Sequence, residues 1–155
     1  MRLAKPDQNP GQIEVKDKRL HPVESVGQQS KKVHILLAED DLMNQEIVFE
    51  ILTKEAGIAV DIAQDGLEAV NLASEHPYDL ILMDMRMPIM DGLETTRQIR
   101  LLKEHKNTPI LAMTANAFSE DKQRCMEAGM SDFISKPFLP DTLFTTLFKW
   151  IDRAN

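Results

Sequence analysis

The sequence has one cysteine, no excess of positive charge and no long apolar run, and each absence excludes a class of protein. Cys125 cannot form an internal disulfide by itself, so we expect a reducing compartment such as the cytoplasm. No segment approaches the roughly 18 consecutive apolar residues of a membrane span, and residues 1–32 lack the apolar centre of a secretion signal. The formal net charge of -7 argues against a protein that holds nucleic acid by its phosphates, because such binding needs clustered Lys and Arg.

What is present is the composition of an ordinary globular domain. The chain has 155 residues, of which 43% are hydrophobic and 28% are charged, and this is enough to bury one core. Residues 1–32 contain prolines, glycines and a Gln-Gln-Ser stretch but almost no apolar periodicity, so burial there cannot offset the entropy of ordering. We therefore predict a flexible linker or tail over residues 1–32 and one domain over residues 33–153.

Five short segments have the character of strands. Val33–Ala38, Leu80–Met83 and Ile110–Met113 are nearly continuous apolar runs, which suit strands buried on both faces, and Ile58–Ala63 and Asp132–Ser135 are weaker candidates. Segments with helical spacing follow each of them, and glycines at 57 and 129 are expected to stop the first and fourth helices. The five alternations predict an α/β fold, a doubly wound parallel sheet with helices on both faces. The predicted apolar helix faces are Ile47, Val48, Ile51 and Leu52; Leu67, Val70 and Ala73; Leu93, Thr96 and Ile99; residues 119–128; and Leu143, Leu147, Trp150 and Ile151.

The residues that leave the strands carry the chemistry, because ligands of open parallel sheets bind beyond the carboxyl ends of the strands. The first strand ends in Glu39-Asp40-Asp41 and the third in Asp84, and the first exit has none of the glycines that cradle a nucleotide phosphate. Two unit charges about 4 Å apart repel by roughly 4 kcal/mol at an effective dielectric of 20, so these carboxylates need a proton or a cation. Carboxylates combined with a substrate phosphate favour Mg²⁺.

Asp84 is predicted to have two roles in such a site. Its carboxylate can ligate the metal, and it can attack phosphorus to form an aspartyl phosphate. The fourth predicted strand leads to Thr114 and the fifth to Lys136, so the ammonium of Lys136 and the hydroxyl of Thr114 should both reach the phosphoryl oxygens. The bond from Thr114 exists only after phosphorylation, which makes the added charge a switch.

From about Lys32 to Asp152 the chain resembles the receiver domain of two-component response regulators. The resemblance rests on Glu39-Asp40, on Asp84 within Leu-Ile-Leu-Met-Asp-Met-Arg-Met-Pro-Ile-Met-Asp-Gly, on Thr114-Ala115 and on Lys136-Pro137-Phe138. The separations also match: 44 residues from Asp40 to Asp84, 30 from Asp84 to Thr114 and 22 from Thr114 to Lys136. The sequences around Glu39 and Thr114 are most similar to receiver modules of hybrid sensor histidine kinases.

This resemblance implies a flavodoxin-like fold and a magnesium site. The expected sheet has five strands in the order 2-1-3-4-5 with five helices. Asp84 would accept phosphate from phosphohistidine. Asp40 and Asp84 would ligate Mg²⁺ directly, Glu39 would act largely through water, and the backbone carbonyl of Arg86 would complete the protein ligands.

The resemblance also implies a switch pair and a cis peptide bond. Thr114 and Phe133 would move together, the ring turning inward as the hydroxyl approaches the phosphate. Lys136 would contact the phosphoryl group, and the bond before Pro137 would be cis, which an X-Pro bond permits at low cost.

The function that follows is phosphorelay signalling in which the chain promotes its own phosphorylation and dephosphorylation. The expected partner is a histidine kinase or a histidine phosphotransfer domain, docking near the acceptor and the first helix, around Asn44 to Ile51. We expect a monomer that contacts neither nucleic acid nor membrane. A piece of a hybrid histidine kinase, the cytoplasmic part of a membrane-bound sensor, is favoured over a single-domain regulator, although no kinase core is visible in this chain.

Two other functions and two residue roles stay open. The fold could serve as a receiver-like protein-binding module that is not phosphorylated. A phosphatase with an aspartate nucleophile would need a second Asp two residues after it, where this chain has Arg86. Asp41 is expected to cap the helix that starts near Leu42 rather than to bind metal, and Phe133 is as compatible with a core residue as with a switch.

Overall fold

The computed structural model describes residues 32–55, 57–115 and 119–154. The predicted tail over residues 1–32 lies outside the described residues except for Lys32, so that prediction stays a prediction. The strands are β1 (Val33–Ala38), β2 (Ile58–Ala63), β3 (Leu80–Asp84), β4 (Ile110–Thr114) and β5 (Asp132–Ser135). The α-helices are α1 (Leu42–Thr53), α2 (Gly66–Glu75), α3 (Gly92–Arg100), α4 (Ser119–Ala128) and α5 (Pro140–Ala154), and a 3₁₀-helix covers Lys103–His105.

All five strands are parallel and form one sheet in the order β2-β1-β3-β4-β5. This confirms the predicted 2-1-3-4-5 order and the doubly wound α/β class. The register pairs Ala38 with Met83 and Asp84 with Met113, and it pairs Thr114 with Ser135. The ends of β1, β3, β4 and β5 therefore meet at one edge of the sheet.

The sheet is buried on both faces, which explains its uninterrupted apolar strands. Along β1, Ile35 and Leu37 point to the face that α1 and α5 cover, and Leu36 and Ala38 point to the face covered by α2, α3 and α4. On the first face the buried helix residues are Val48, Leu52, Leu143, Leu147 and Ile151, and on the second they include Ala69, Ala73, Leu93, Ile99, Cys125 and Ala128.

Two predicted helix faces differ from the observed ones. Ile47 of α1 is 41% exposed and Leu67 of α2 is 48% exposed, whereas both were expected to face the core. The buried residues of α1 are Gln45, Val48 and Leu52. The prediction for α1 was wrong because this helix has apolar side chains around most of its circumference, so the spacing of apolar residues alone does not identify its buried side. α1 also ends at Thr53, before Gly57.

The start of α1 is set by Asp41. Its side chain accepts hydrogen bonds from the backbone N–H groups of Met43 at 2.8 Å and Asn44 at 3.1 Å, which confirms the predicted cap. Asp91 caps α3 in the same way, accepting from Glu94 N at 2.9 Å. None of the helices in the described part of the chain is long and apolar enough to span a bilayer.

Candidate functional site

Three carboxylates meet at the edge of the sheet where β1 and β3 end. Glu39 and Asp40 follow β1 directly, and Asp84 is the last residue of β3. One carboxylate oxygen from each residue lies within 4.8 Å of the others. Glu39 and Asp84 are buried, at 0% and 5% exposure, whereas Asp40 is exposed. The structure thus brings together the acidic residues that the sequence placed on separate strands.

Lys136 enters the same cluster from the loop after β5. Its Nζ lies 3.3 Å from Asp84 Oδ1 and 3.5 Å from Glu39 Oε1. The backbone N–H of Lys136 donates to the carbonyl of Thr114 at 2.9 Å, which ties this loop to the end of β4. The Lys136-Pro137 peptide bond is cis, as predicted. One ammonium group therefore faces two buried carboxylates.

Glu39 has an unusual environment for a carboxylate. Its Oε2 accepts from the N–H of Asp41 at 3.1 Å, and its backbone carbonyl accepts from Gln45 Nε2 at 2.6 Å. Its Oε1 is fully buried and accepts no hydrogen bond. Burial raises the pKa of Glu39 to about 7; the charge of Asp84 acts in the same direction, while the Asp41 N–H and the Lys136 ammonium oppose it. The Lys136 ammonium therefore does not offset the effect of burial on the pKa of Glu39.

The raised pKa predicts that the cation-free protein loses stability as pH rises. The folded state holds a proton on Glu39 that the unfolded state releases near the ordinary value of 4.5, so the free energy of unfolding should fall between pH 4.5 and about 7. The loss is expected to be on the order of 3 kcal/mol, since one pKa unit corresponds to about 1.4 kcal/mol. Urea unfolding at several pH values in the presence of a chelator measures it.

Glu39→Gln should flatten this pH dependence, because glutamine does not titrate. The control Glu46→Gln changes an exposed residue of α1 and should keep the wild-type slope. A wild-type stability that is constant or rises over this interval would contradict the assignment.

The donor set suits a small divalent cation. Three carboxylates with oxygens close together, one of them a buried atom that accepts no hydrogen bond, leave negative charge that one lysine does not balance. Mg²⁺ prefers oxygen ligands and is usually held by one or two carboxylates together with water and phosphate. The residues at this edge of the sheet therefore fit magnesium.

A cleft of about 610 Å³ opens beside Asp84. Lys136 and Thr114 line it, and so does Arg86, whose backbone N–H is 3.4 Å from Asp84 Oδ1 and whose side chain is exposed. Thr114 is half-buried at the end of β4. The remaining lining residues are Met85, Met87, Asp91, Leu93, Met113, Ala115 and Arg124. The predicted nucleophile, hydroxyl and ammonium thus share one solvent-accessible space.

Like Glu39 and Asp40, the predicted switch residue Phe133 does not line this cleft. Its ring is half-buried in β5 and packs against the apolar cluster on the α2–α4 face. The ammonium of Lys122 lies 5.8 Å from the ring centroid. A core role and a switch role are both compatible with this position, so the switch stays a prediction.

Three residues of the site were not singled out from the sequence. Gln45 donates a hydrogen bond to the backbone carbonyl of Glu39. The sequence could have indicated this residue, because Gln45 is a polar residue three positions before Val48 and lies on the same buried side of α1. Gly92 lies against the β3 exit, where a Cβ would contact the carbonyl oxygen of Asp84 and would lie 2.9 Å from Met85 Cα. Arg124 reaches the cleft from α4, and nothing in the local sequence marks it.

Comparison with known proteins agrees with this fold. Residues 35–148 match the response regulator receiver domain model. The chain is 41% identical over 132 residues to hybrid signal transduction histidine kinase B of Dictyostelium discoideum, an alignment that covers 77% of this chain and 7% of that protein. The receiver domain of sensor histidine kinase PA1611 from Pseudomonas aeruginosa, with magnesium coordinated in its active-site cleft, is 40% identical with a TM-score of 0.73, covering 78% of this chain and 98% of that one.

A further solved structure contains a partner. The receiver domain of Ssk1 from Saccharomyces cerevisiae, crystallised with the histidine phosphotransfer protein Ypd1, is 29% identical with a TM-score of 0.74, covering 81% of this chain and 93% of that one. The similarity to the Dictyostelium kinase concerns one domain, because this chain spans only 7% of its length. Three findings lead to the same conclusion: the family match, the strand order, and the meeting of Glu39, Asp40 and Asp84 at one edge of the sheet, which we call the acidic edge. The chain belongs to the response regulator receiver domain family.

Proposed function

We propose that this receiver domain acts in a phosphorelay and accepts a phosphoryl group from phosphohistidine on Asp84. The observation that carries the proposal is the position of Asp84, whose Oδ1 lies 3.3 Å from the Lys136 ammonium at the bottom of an open cleft. The side chain is 5% exposed, so the carboxylate is shielded from bulk water. A buried, ion-paired aspartate on a cleft is suited to nucleophilic attack on phosphorus.

The transfer is a displacement at phosphorus. A carboxylate oxygen of Asp84 forms the new P–O bond while the P–N bond to the imidazole breaks, and the bonding electrons stay on the imidazole nitrogen, which then takes a proton from solvent. Glu39, Asp40, Asp84 and the backbone carbonyl of Arg86 would hold Mg²⁺, which supplies positive charge next to the phosphoryl oxygens. Lys136, whose ammonium lies 3.3 Å from Asp84 Oδ1, would pair with the transferred group.

Phosphorylation then changes the loops around the cleft. The phosphoryl group adds about -1.5 to -2 charges and three acceptor oxygens. Thr114 lines the same cleft as Asp84, so its hydroxyl can donate to one of these oxygens. Movement of Thr114 leaves space into which the ring of Phe133 turns. This pair would transmit the modification to a partner-binding surface.

The proposed partner is a histidine kinase or a histidine phosphotransfer domain that docks on α1, around Asn44 to Ile51. Leu42 and Met43 at the start of this helix are 74% and 71% exposed, so an apolar surface adjoins the acidic edge. The complex of the yeast Ssk1 receiver with Ypd1 supports this class of partner. The similarity to hybrid kinases supports a cytoplasmic location as part of such a protein.

A small phosphodonor tests the proposal without a partner. Incubation with Mg²⁺ and acetyl phosphate should add the mass of one phosphoryl group to the intact chain. A chelator should prevent the gain, and hydroxylamine should release the phosphate and leave an aspartyl hydroxamate of smaller added mass, because that nucleophile attacks the acyl carbon of an acyl phosphate. A chain that gains no phosphate under these conditions would instead favour a receiver-like binding module that is not phosphorylated.

A further inference from the structure

The charges of this domain are unevenly distributed along the sequence. Residues 33–84 contain twelve acidic side chains and one basic side chain, Lys54, which gives a formal charge of -11. Residues 85–155 contain nine acidic and ten basic side chains, so their net charge is +1. The first stretch comprises β1, α1, β2, α2 and β3. The acidic half of the domain is therefore the half that includes α1.

An apolar groove lies in this acidic half. It has a volume of about 570 Å³ between α1 and β2, and four of the residues that line it are Leu42, Met43, Phe49 and Ile62. Three of them belong to α1 and are among the exposed large apolar residues, at 74%, 71% and 40% exposure. Exposed apolar side chains gathered around a groove mark an interaction surface.

Two glutamates give this groove its charge. Glu46 lines the groove, and Glu50 lies one helical turn further along α1; both are exposed. Within the described residues, no lysine or arginine lies within ion-pair distance of either carboxylate. Their charges, with those of Asp40 and Asp41 at the start of the helix, therefore face solvent on the side from which a docked donor would approach.

This field opposes the proposed reaction unless the donor compensates for it. Phosphohistidine is anionic, so an acidic receiver surface repels it. Surface potentials of this kind change association rates by about 10- to 1000-fold. A donor whose phosphohistidine is surrounded by Lys and Arg turns the same field into attraction.

We propose that the α1–β2 groove of this chain selects a phosphohistidine-bearing protein whose docking surface is basic, with an apolar side chain in the groove and cations opposite Glu46 and Glu50. This inference rests on the proposed function, since it names the chemistry of the donor for Asp84. The groove supplies contact area, and the glutamates supply selectivity and association rate.

A donor charge series tests the selectivity. The probe is phosphorylated Ypd1 in three forms: unaltered, with two lysines introduced beside its histidine, and with two glutamates introduced there. At low ionic strength the lysine form should transfer phosphate to the wild-type domain about tenfold faster than the glutamate form. The difference should shrink at high salt, because the Debye length falls from about 30 Å at 0.01 M to about 3 Å at 1 M.

Charge reversal on the receiver should invert the order of the transfer rates from the lysine and glutamate forms of the donor. The double variant Glu46→Lys and Glu50→Lys should prefer the glutamate form of the donor. The control Glu104→Lys and Glu127→Lys makes the same change in net charge at exposed residues of the 3₁₀-helix and α4. It should retain the wild-type order. An unchanged order in the first double variant, or an inverted order in the control, would overturn the inference.

Acetyl phosphate separates this inference from the proposed function. Labelling by this donor needs no protein docking, so it reports whether the Asp84 site is intact in each variant. Failure of the wild-type chain to be labelled by acetyl phosphate would refute the proposed function itself. Normal labelling by acetyl phosphate, combined with transfer rates from Ypd1 that do not depend on the donor's charge, would refute only the inference of a basic partner.

Discussion

An Asp84→Asn variant is expected to lose phosphoryl incorporation, with a rate at least on the order of 1000-fold below that of the wild type. The reason is chemical, since an amide oxygen lacks the full negative charge of a carboxylate and cannot form a stable acyl phosphate. The pair between Lys136 and Glu39 does not involve Asp84, so we expect it to remain in this variant. Incubation with Mg²⁺ and acetyl phosphate, followed by intact mass measurement over time, gives the rate.

The matched control for this variant is Asp141→Asn. Asp141 is an exposed aspartate in the first turn of α5, so its replacement makes the same chemical change away from the cleft. It should be labelled at the wild-type rate. If Asp84→Asn were labelled as fast as this control, the phosphate would have to be on another residue and the proposed acceptor would be wrong.

Lys136→Ala is expected to separate magnesium binding from switching. Lys136 is not a metal ligand, and its positive charge lies 3.3 Å from Asp84 and 3.5 Å from Glu39, where it competes with a cation. Magnesium affinity, measured by isothermal titration calorimetry, should therefore be unchanged or tighter. The phosphorylated state, in contrast, loses a charge-assisted hydrogen bond, an interaction of about 1.5–3 kcal/mol.

That loss should reduce the conformational response by about tenfold or more, since 1.4 kcal/mol corresponds to a factor of ten in an equilibrium constant. The response is measured as the change in the amide NMR signals of Thr114 and Phe133 when acetyl phosphate is added with Mg²⁺. Lys149→Ala is the matched control, because Lys149 is a half-exposed lysine that pairs with Asp132 of the edge strand β5 at 3.6 Å, and neither residue lines the cleft. A full response in Lys136→Ala would show that the switch does not depend on this ion pair.

Local sequence patterns were sufficient for the bounds of several strands and for the acidic residues that meet at one edge of the sheet. β2 and β5 have the bounds Ile58–Ala63 and Asp132–Ser135 that their apolar character predicted. Asp41 was recognised as a cap because a short acidic side chain before a helix has one favourable partner, the free N–H groups of the first turn. The acidic edge followed from one topological rule, that parallel strands present their carboxyl ends together.

Only the tertiary structure decided how those residues interact. The side of α1 that faces the core, the burial of Glu39 and the dual pairing of Lys136 all depend on elements that are distant in the sequence. The raised pKa of Glu39 has the same origin, since its first cause is removal from water by packing. Residue types and spacing determined which chemical groups this domain brings to one edge of its sheet. Packing determined their charge and exposure, because both depend on distance and solvent access rather than on order along the chain.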